Sequence, residues 1–115
     1  MVHKGVGMVN QDDFLRDGTK KAAQLLKAIG NEHRLLILCL LLKYDEIAVG
    51  ELHKLVSLSQ SALSQHLAKM REEGLVTFRR DAQVIYYRID NPDVANVIGT
   101  LRDIYAPKAI DVKNT

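Results

Sequence analysis

The apolar run from Leu35 to Leu42 restricts the possible folds more than any other segment. A membrane-spanning helix needs about twenty apolar residues, so a run of eight indicates a buried helix instead. The chain has 115 residues, which is the length of one ordinary domain with one core. We therefore expect a single domain built around this helix.

Apolar residues recur at helical spacing on both sides of the run. A first helix extends from residue 12 or 13 to Ile29, where Gly30 ends it. A short third helix begins near Val49. A fourth is capped by Ser59 and runs to Glu73 before Gly74. Three residues of the fourth helix make a buried stripe: Leu63, Leu67 and Met70.

The segments 75–79 and 84–89 are rich in β-branched and aromatic residues and predict a β-hairpin, with residues 80–83 between its strands. A fifth helix follows from Pro92 to residue 106, and residues 43–48 read as a polar loop. The expected fold is mainly α with a small β-hairpin (α+β), a winged helix-turn-helix over residues 12–106. The ends, 1–11 and 107–115, are expected to be flexible.

The outward face of the fourth helix indicates DNA as a partner. Its side chains are small or neutral-polar and carry no carboxylate: Gln60, Ser61, Ser64, Gln65 and Ala68. Amides and hydroxyls can hydrogen-bond base edges, whereas a carboxylate in the groove would be repelled by phosphate. A protein-interaction winged helix that has lost DNA binding would instead carry an acidic or apolar face.

The net charge is only +2, so any contact with nucleic acid depends on where the cations lie. Lys69 and Arg71 stand at the far end of the fourth helix, and Gln83 is in the hairpin turn. The hairpin holds three arginines against one acid, Asp81: Arg79, Arg80 and Arg88. We expect the wing to contact the DNA backbone or the minor groove. Arg34 could reach a phosphate or pair with Glu32 or Asp45.

Several segments resemble the ArsR/SmtB family of bacterial transcriptional repressors, in particular its metal-independent regulators of hemolysin, nodulation and sulfide genes. The segments are Asn31–Leu38, Val49–Leu52, Leu58–Leu67, Gly74–Val76, Arg79–Gln83 and Tyr86–Tyr87. The resemblance implies a homodimer joined through helices 12–29 and 92–106. It also implies that two copies of the fourth helix occupy successive major grooves of a palindromic operator, and that binding represses transcription.

Metal-sensing members of this family use paired cysteines on the third helix or aspartate and histidine sets on the last one. Zinc needs three or four such ligands. The third helix offers His53 alone, and the fifth offers Asp93 and Asp103 without a histidine, so we expect no metal and no cofactor. His33 and His53 are expected at the surface, and His66 is expected to pack or bond beside the fourth helix.

Cys39 is the single cysteine of the chain, so an internal disulfide is impossible and a reducing cytoplasm is the expected location. The N-terminus has no apolar stretch typical of a signal peptide. In redox sensors that this chain resembles, a second cysteine lies where Ala106 stands here. We expect Cys39 to be a protonated core residue. A redox-responsive regulator through Cys39 remains the alternative.

Catalytic motifs are missing from the sequence, which has no phosphate-binding glycine loop, His-Glu motif or nucleophile elbow. Ser64 and His66 are two positions apart on a helix and point to different sides. We therefore expect no enzyme. A repressor controlled only by its abundance and one released by a small-molecule inducer both stay open.

Overall fold

The computed structural model describes residues 13–106; the tails predicted to be flexible, 1–11 and 107–115, lie outside this range. The described chain forms two compact units, one up to Asn31 and one from Glu32 onward. In the first unit, a π-helical turn at Phe14–Gly18 leads into helix α1, Thr19–Ile29. The helix ends before Gly30, as predicted. A Cβ at this position would lie 2.8 Å from the carbonyl oxygen of Leu26, so the backbone there favours glycine.

The second unit contains four helices and three strands. In chain order these are α2 (Glu32–Tyr44), β1 (Ile47–Ala48), α3 (Val49–Leu55), α4 (Gln60–Glu72), β2 (Val76–Asp81), β3 (Val84–Ile89) and α5 (Pro92–Tyr105). All five predicted helices and the hairpin are therefore present.

The prediction of a loop over residues 43–48 was wrong, because Ile47 and Ala48 form β1. This strand pairs antiparallel with β3, Ile47 opposite Tyr87, and gives a three-stranded sheet in the order β1-β3-β2. Two residues are too few to show the alternation by which a strand is read from sequence. Pairing with β3 and the burial of Ile47 stabilise the strand.

The hairpin turn is shorter than predicted. The strands pair as far as Asp81 opposite Val84, which leaves only Ala82 and Gln83 in the turn. Ala82 has φ 57°, in the left-handed region that tight hairpin turns commonly require. No glycine marked this position in the sequence, so the strand ends could not be located from composition.

The helix ends and the core follow the predicted pattern. The Oγ of Ser59 accepts a hydrogen bond from the Ala62 amide at 3.0 Å, and Gly74 has φ 78°. Asn91 caps α5 by accepting from the Asp93 amide at 2.8 Å. The predicted stripe of α4 is fully buried, together with side chains of α2 and α5: Ile37, Leu38, Leu41, Leu63, Leu67, Met70, Val94 and Ile98.

Candidate nucleic-acid interface

The outward face of α4 is exposed along its whole length. All five predicted face residues are solvent-accessible: Gln60, Ser61, Ser64, Gln65 and Ala68. The buried stripe on the opposite side fixes the rotation of the helix, so that these side chains project away from the core. The neutral face ends at Glu72, which is exposed one turn beyond Ala68. The surface free of carboxylates therefore covers about the first three turns.

The two cations at the end of α4 have different surroundings. The guanidinium carbon of Arg71 lies 4.7 Å from the centre of the Phe78 ring, in a cation–π contact that links α4 to β2. Lys69 is exposed, and no carboxylate among the described residues forms an ion pair with it. Its ammonium group is therefore available to an external anion.

The wing exposes Arg80 and Arg88 to solvent, whereas Arg79 is held by a carboxylate. Arg80 is exposed next to the turn, as is Gln83, and no ion pair involving Arg80 occurs within residues 13–106. Arg79 instead donates two hydrogen bonds to Glu46, from Nε to Oε2 at 2.8 Å and from Nη2 to Oε1 at 2.9 Å. Its guanidinium carbon also lies 4.3 Å from the centre of the Tyr86 ring.

Arg34 joins the beginning of α2 to the far end of α4. Its Nη1 lies 3.4 Å from Oε1 of Glu73, and its Nε donates to Nδ1 of His66 at 3.2 Å. The side chain is only 17% exposed. Glu73 is a partner that the sequence did not indicate, because it is 39 residues away.

His66 bonds beside α4, as predicted. Burial, the charge of Arg34 and the proximity of His33 lower the pKa of His66 below its ordinary value. The two histidine rings lie 6.0 Å apart. Since Nδ1 accepts a hydrogen bond from Arg34, the neutral ring carries its proton on Nε2.

His53 is not the surface residue that the sequence predicted. Its ring is half-buried, and Nε2 lies 3.1 Å from the carbonyl oxygen of Leu58. This bond spans the turn between α3 and α4, so burial follows from the turn geometry rather than from the helical pattern of α3.

A groove of about 880 Å³ separates the beginning of α4 from the sheet. Gln60 and Ser64 line it from the helix, Gln83 and Tyr86 from the wing, and Glu46 from the segment before β1. Two of the predicted base-reading residues, Gln60 and Ser64, therefore border the same concave surface as the wing.

Comparisons with known proteins identify the family. Residues 31–77 match the family described as "Bacterial regulatory protein, arsR family". The HTH-type transcriptional regulator YgaV of Escherichia coli K12 is 48% identical over 93 residues, which cover 81% of this chain and 94% of YgaV. The chain belongs to the arsR family. It is thus a transcriptional regulator with a DNA-binding fold, and the prediction that it is not an enzyme is confirmed.

Solved structures of arsR-family regulators confirm the winged helix-turn-helix. Reduced HlyU from Vibrio cholerae superposes with a TM-score of 0.77 at 45% identity, covering 83% of this chain and 99% of HlyU. The transcriptional repressor BigR from Xylella fastidiosa superposes with a TM-score of 0.76 at 31% identity, covering 84% of this chain and 98% of BigR.

Cys39 of this arsR-family chain is half-buried on α2. Burial raises the pKa of the thiol, and the opposing charge of Arg102 lowers it by less. The sequence showed no neighbouring cation, since Arg102 comes close only through the packing of α5 near α2. A raised pKa favours the protonated, unreactive thiol.

Among residues 13–106, no three His, Cys, Asp or Glu side chains are grouped to hold a metal ion, and no helix is long and apolar enough to cross a membrane. Sequence reasoning did not identify Glu46 and Glu73 as partners of arginines. A surface glutamate carries no local signal for a partner 33 or 39 residues away.

Proposed function

We propose that the protein is a homodimeric repressor that binds a palindromic operator, with α4 of each subunit in a major groove. The exposed, carboxylate-free face of α4 carries this proposal. Gln60, Ser61, Ser64 and Gln65 would contact base edges, because hydroxyls and amides match the donors and acceptors displayed there.

The wing and the end of α4 would supply contacts to phosphate. Lys69 and Arg80 would neutralise phosphates, because both are exposed and neither has an ion-pair partner in the described part of the chain. Arg71 and Gln83 would add further contacts to the backbone. Arg34 and Arg79 are held by carboxylates, so a phosphate would have to compete for them.

Exposed apolar side chains support a dimer. Ile104 is 60% exposed and Tyr105 80% exposed at the end of α5, while Phe14, Leu15 and Leu26 are exposed in the first unit. Large apolar side chains that remain in water are typical of association surfaces. Two subunits related by a two-fold axis would place their α4 helices in half-sites about 10 base pairs apart.

The proposed outcome of binding is repression. Among the relatives, BigR is named a repressor and HlyU of V. cholerae a transcriptional activator, so the family supports both signs of regulation. An operator that overlaps the promoter would favour repression, because bound protein excludes polymerase. A cytoplasmic location, with access to the chromosome, is part of the proposal.

Selection of duplexes from random-sequence DNA by the purified full chain tests the proposal. We expect a palindromic motif with half-sites one helical turn apart, and a mass by sedimentation that corresponds to two chains per duplex. Enrichment of a single half-site would contradict the dimer. Absence of enrichment at low salt would contradict DNA recognition and favour the protein-interaction alternative.

A further inference from the structure

The ion pair between Glu46 and Arg79 has the geometry of a strong carboxylate–guanidinium contact. Both Glu46 oxygens accept from Arg79, at 2.8 and 2.9 Å, and the Tyr86 ring covers the guanidinium from another side. Isolated surface ion pairs contribute little, but bidentate ones are the exception because two parallel bonds fix the geometry. Two of the Arg79 nitrogens that could bind phosphate are therefore already used.

The sheet register brings the two residues together. Arg79 on β2 lies opposite Tyr86, and Ile47 on β1 lies opposite Tyr87. Glu46 precedes β1, so it reaches Arg79 across the central strand β3. Hydrogen bonding from Arg79, with the charges of Arg79 and Arg88, holds the pKa of Glu46 below its usual range. The carboxylate is thus ionised at neutral pH.

The carboxylate also stands on the surface expected to meet DNA. Glu46 lines the same groove as Gln60 and Ser64. A negative charge there repels phosphate and cancels the charge of Arg79. Without Glu46, Arg79 would add a third arginine to the positive potential of the wing, beside Arg80 and Arg88.

We propose that Glu46 limits the affinity for DNA by withholding Arg79 from the phosphate backbone. This inference rests on the proposed DNA-binding function. Because phosphate contacts carry no sequence information, the pair sets how tightly the protein holds any duplex, whereas α4 sets which duplex it prefers. Glu46 is thus an affinity-setting residue that itself makes no favourable contact with DNA.

Salt titrations of binding to a duplex without the operator motif test this role. In Glu46→Gln, Arg79 is released, so we expect tighter binding and a slope of log affinity against log salt that is steeper by about 0.9 for each arginine that reaches a phosphate. With that slope, lowering the salt from 200 to 50 mM should raise the affinity of the variant by a factor about 3.5 times larger than the factor for the wild type. The preference for operator over other sequence should not change.

Glu51→Gln is the matched control, because Glu51 lines the same groove but pairs with Lys54 instead of an arginine of the wing. It removes the same charge without releasing Arg79, and the lysine that it frees, Lys54, does not line the groove, so the slope should stay that of the wild type. Equal slopes in Glu46→Gln and Glu51→Gln would overturn the proposal, as would weaker binding of Glu46→Gln. The double variant Glu46→Gln/Arg79→Gln should lose the slope gain.

Arg79→Gln in the otherwise unchanged protein gives an answer that does not depend on how Glu46→Gln folds. If Glu46 withholds Arg79, this variant keeps the wild-type slope. A slope shallower by about 1 would show that Arg79 already contacts phosphate, and would overturn the inference while leaving DNA binding established. Failure of the wild-type protein to bind any duplex at low salt would instead contradict the proposed function.

Discussion

Arg34 donates a hydrogen bond from Nε to Nδ1 of His66 at 3.2 Å, and its Nη1 lies 3.4 Å from Glu73. A residue in the first turn of α2 is therefore bonded to both the middle and the end of α4. The bond requires an unprotonated Nδ1. Arg34 and His33, both on α2, are the nearby groups that influence the pKa of His66. Protonation of His66 would replace the acceptor with a cation beside Arg34.

Stability should depend on pH through His66. Burial, Arg34 and His33 lower its folded-state pKa below the unfolded value of about 6.5. The unfolded chain then binds the proton first, so the contribution of His66 is present above pH 6.5 and is lost as the pH falls through the folded-state pKa. Urea unfolding midpoints measured from pH 7.5 to 5 should decrease accordingly.

His66→Asn is the matched variant for this pH dependence, since the amide oxygen can accept from Arg34 but does not titrate. We expect it to retain stability at pH 7.5 and to lose less than the wild type at pH 5. An equal loss of stability at pH 5 in both proteins would show that groups other than His66 cause the pH dependence.

Two variants should distinguish residues that contact base edges from residues that contact the DNA backbone. Gln60→Ala should weaken binding to the selected operator by about 1–3 kcal/mol and leave binding to unrelated duplex unchanged. Arg80→Ala should weaken both and make the salt slope shallower by about 1. Fluorescence anisotropy with both duplexes checks this. Unchanged sequence preference in Gln60→Ala would contradict the assignment of the face.

Ile104→Asp should dissociate the proposed dimer without unfolding the subunit, because Ile104 is exposed in the single chain. Burying two isoleucines across a two-fold axis contributes about 3 kcal/mol to association. The dissociation constant of the dimer should therefore increase about 100-fold or more. Sedimentation equilibrium measures this, and circular dichroism checks folding. Unchanged association of Ile104→Asp would remove this face from the interface.

The Cys39 thiol should react slowly with a thiol reagent in the folded protein and faster in urea, because burial raises its pKa and hinders access. Arg102→Gln should slow the folded reaction further, since the charge of Arg102 lowers the pKa. Reaction kinetics followed by absorbance provide the measurement. Rapid labelling, together with loss of DNA binding on oxidation that Cys39→Ser prevents, would instead establish a redox-responsive regulator.

The helices were predictable because their signals are local. Periodic apolar residues, the Ser59 cap and the Gly74 terminator each act within a few positions of the chain, and all were confirmed. The strand at Ile47–Ala48 and the half-buried position of His53 were missed. Both depend on partners that are brought close only by folding, namely β3 for the strand and the Leu58 carbonyl for the histidine.

The same division holds for the candidate site. The sequence by itself determined that α4 has one apolar and one neutral-polar face, because a helix with 3.6 residues per turn sorts side chains by their spacing alone. Only the tertiary structure decided which cations remain available to bind an external anion. Glu46 and Glu73 hold Arg79 and Arg34 across 33 and 39 residues, whereas Arg80 has no such partner within residues 13–106. Electrostatic pairing depends on distance in space, and only the folded chain sets that distance.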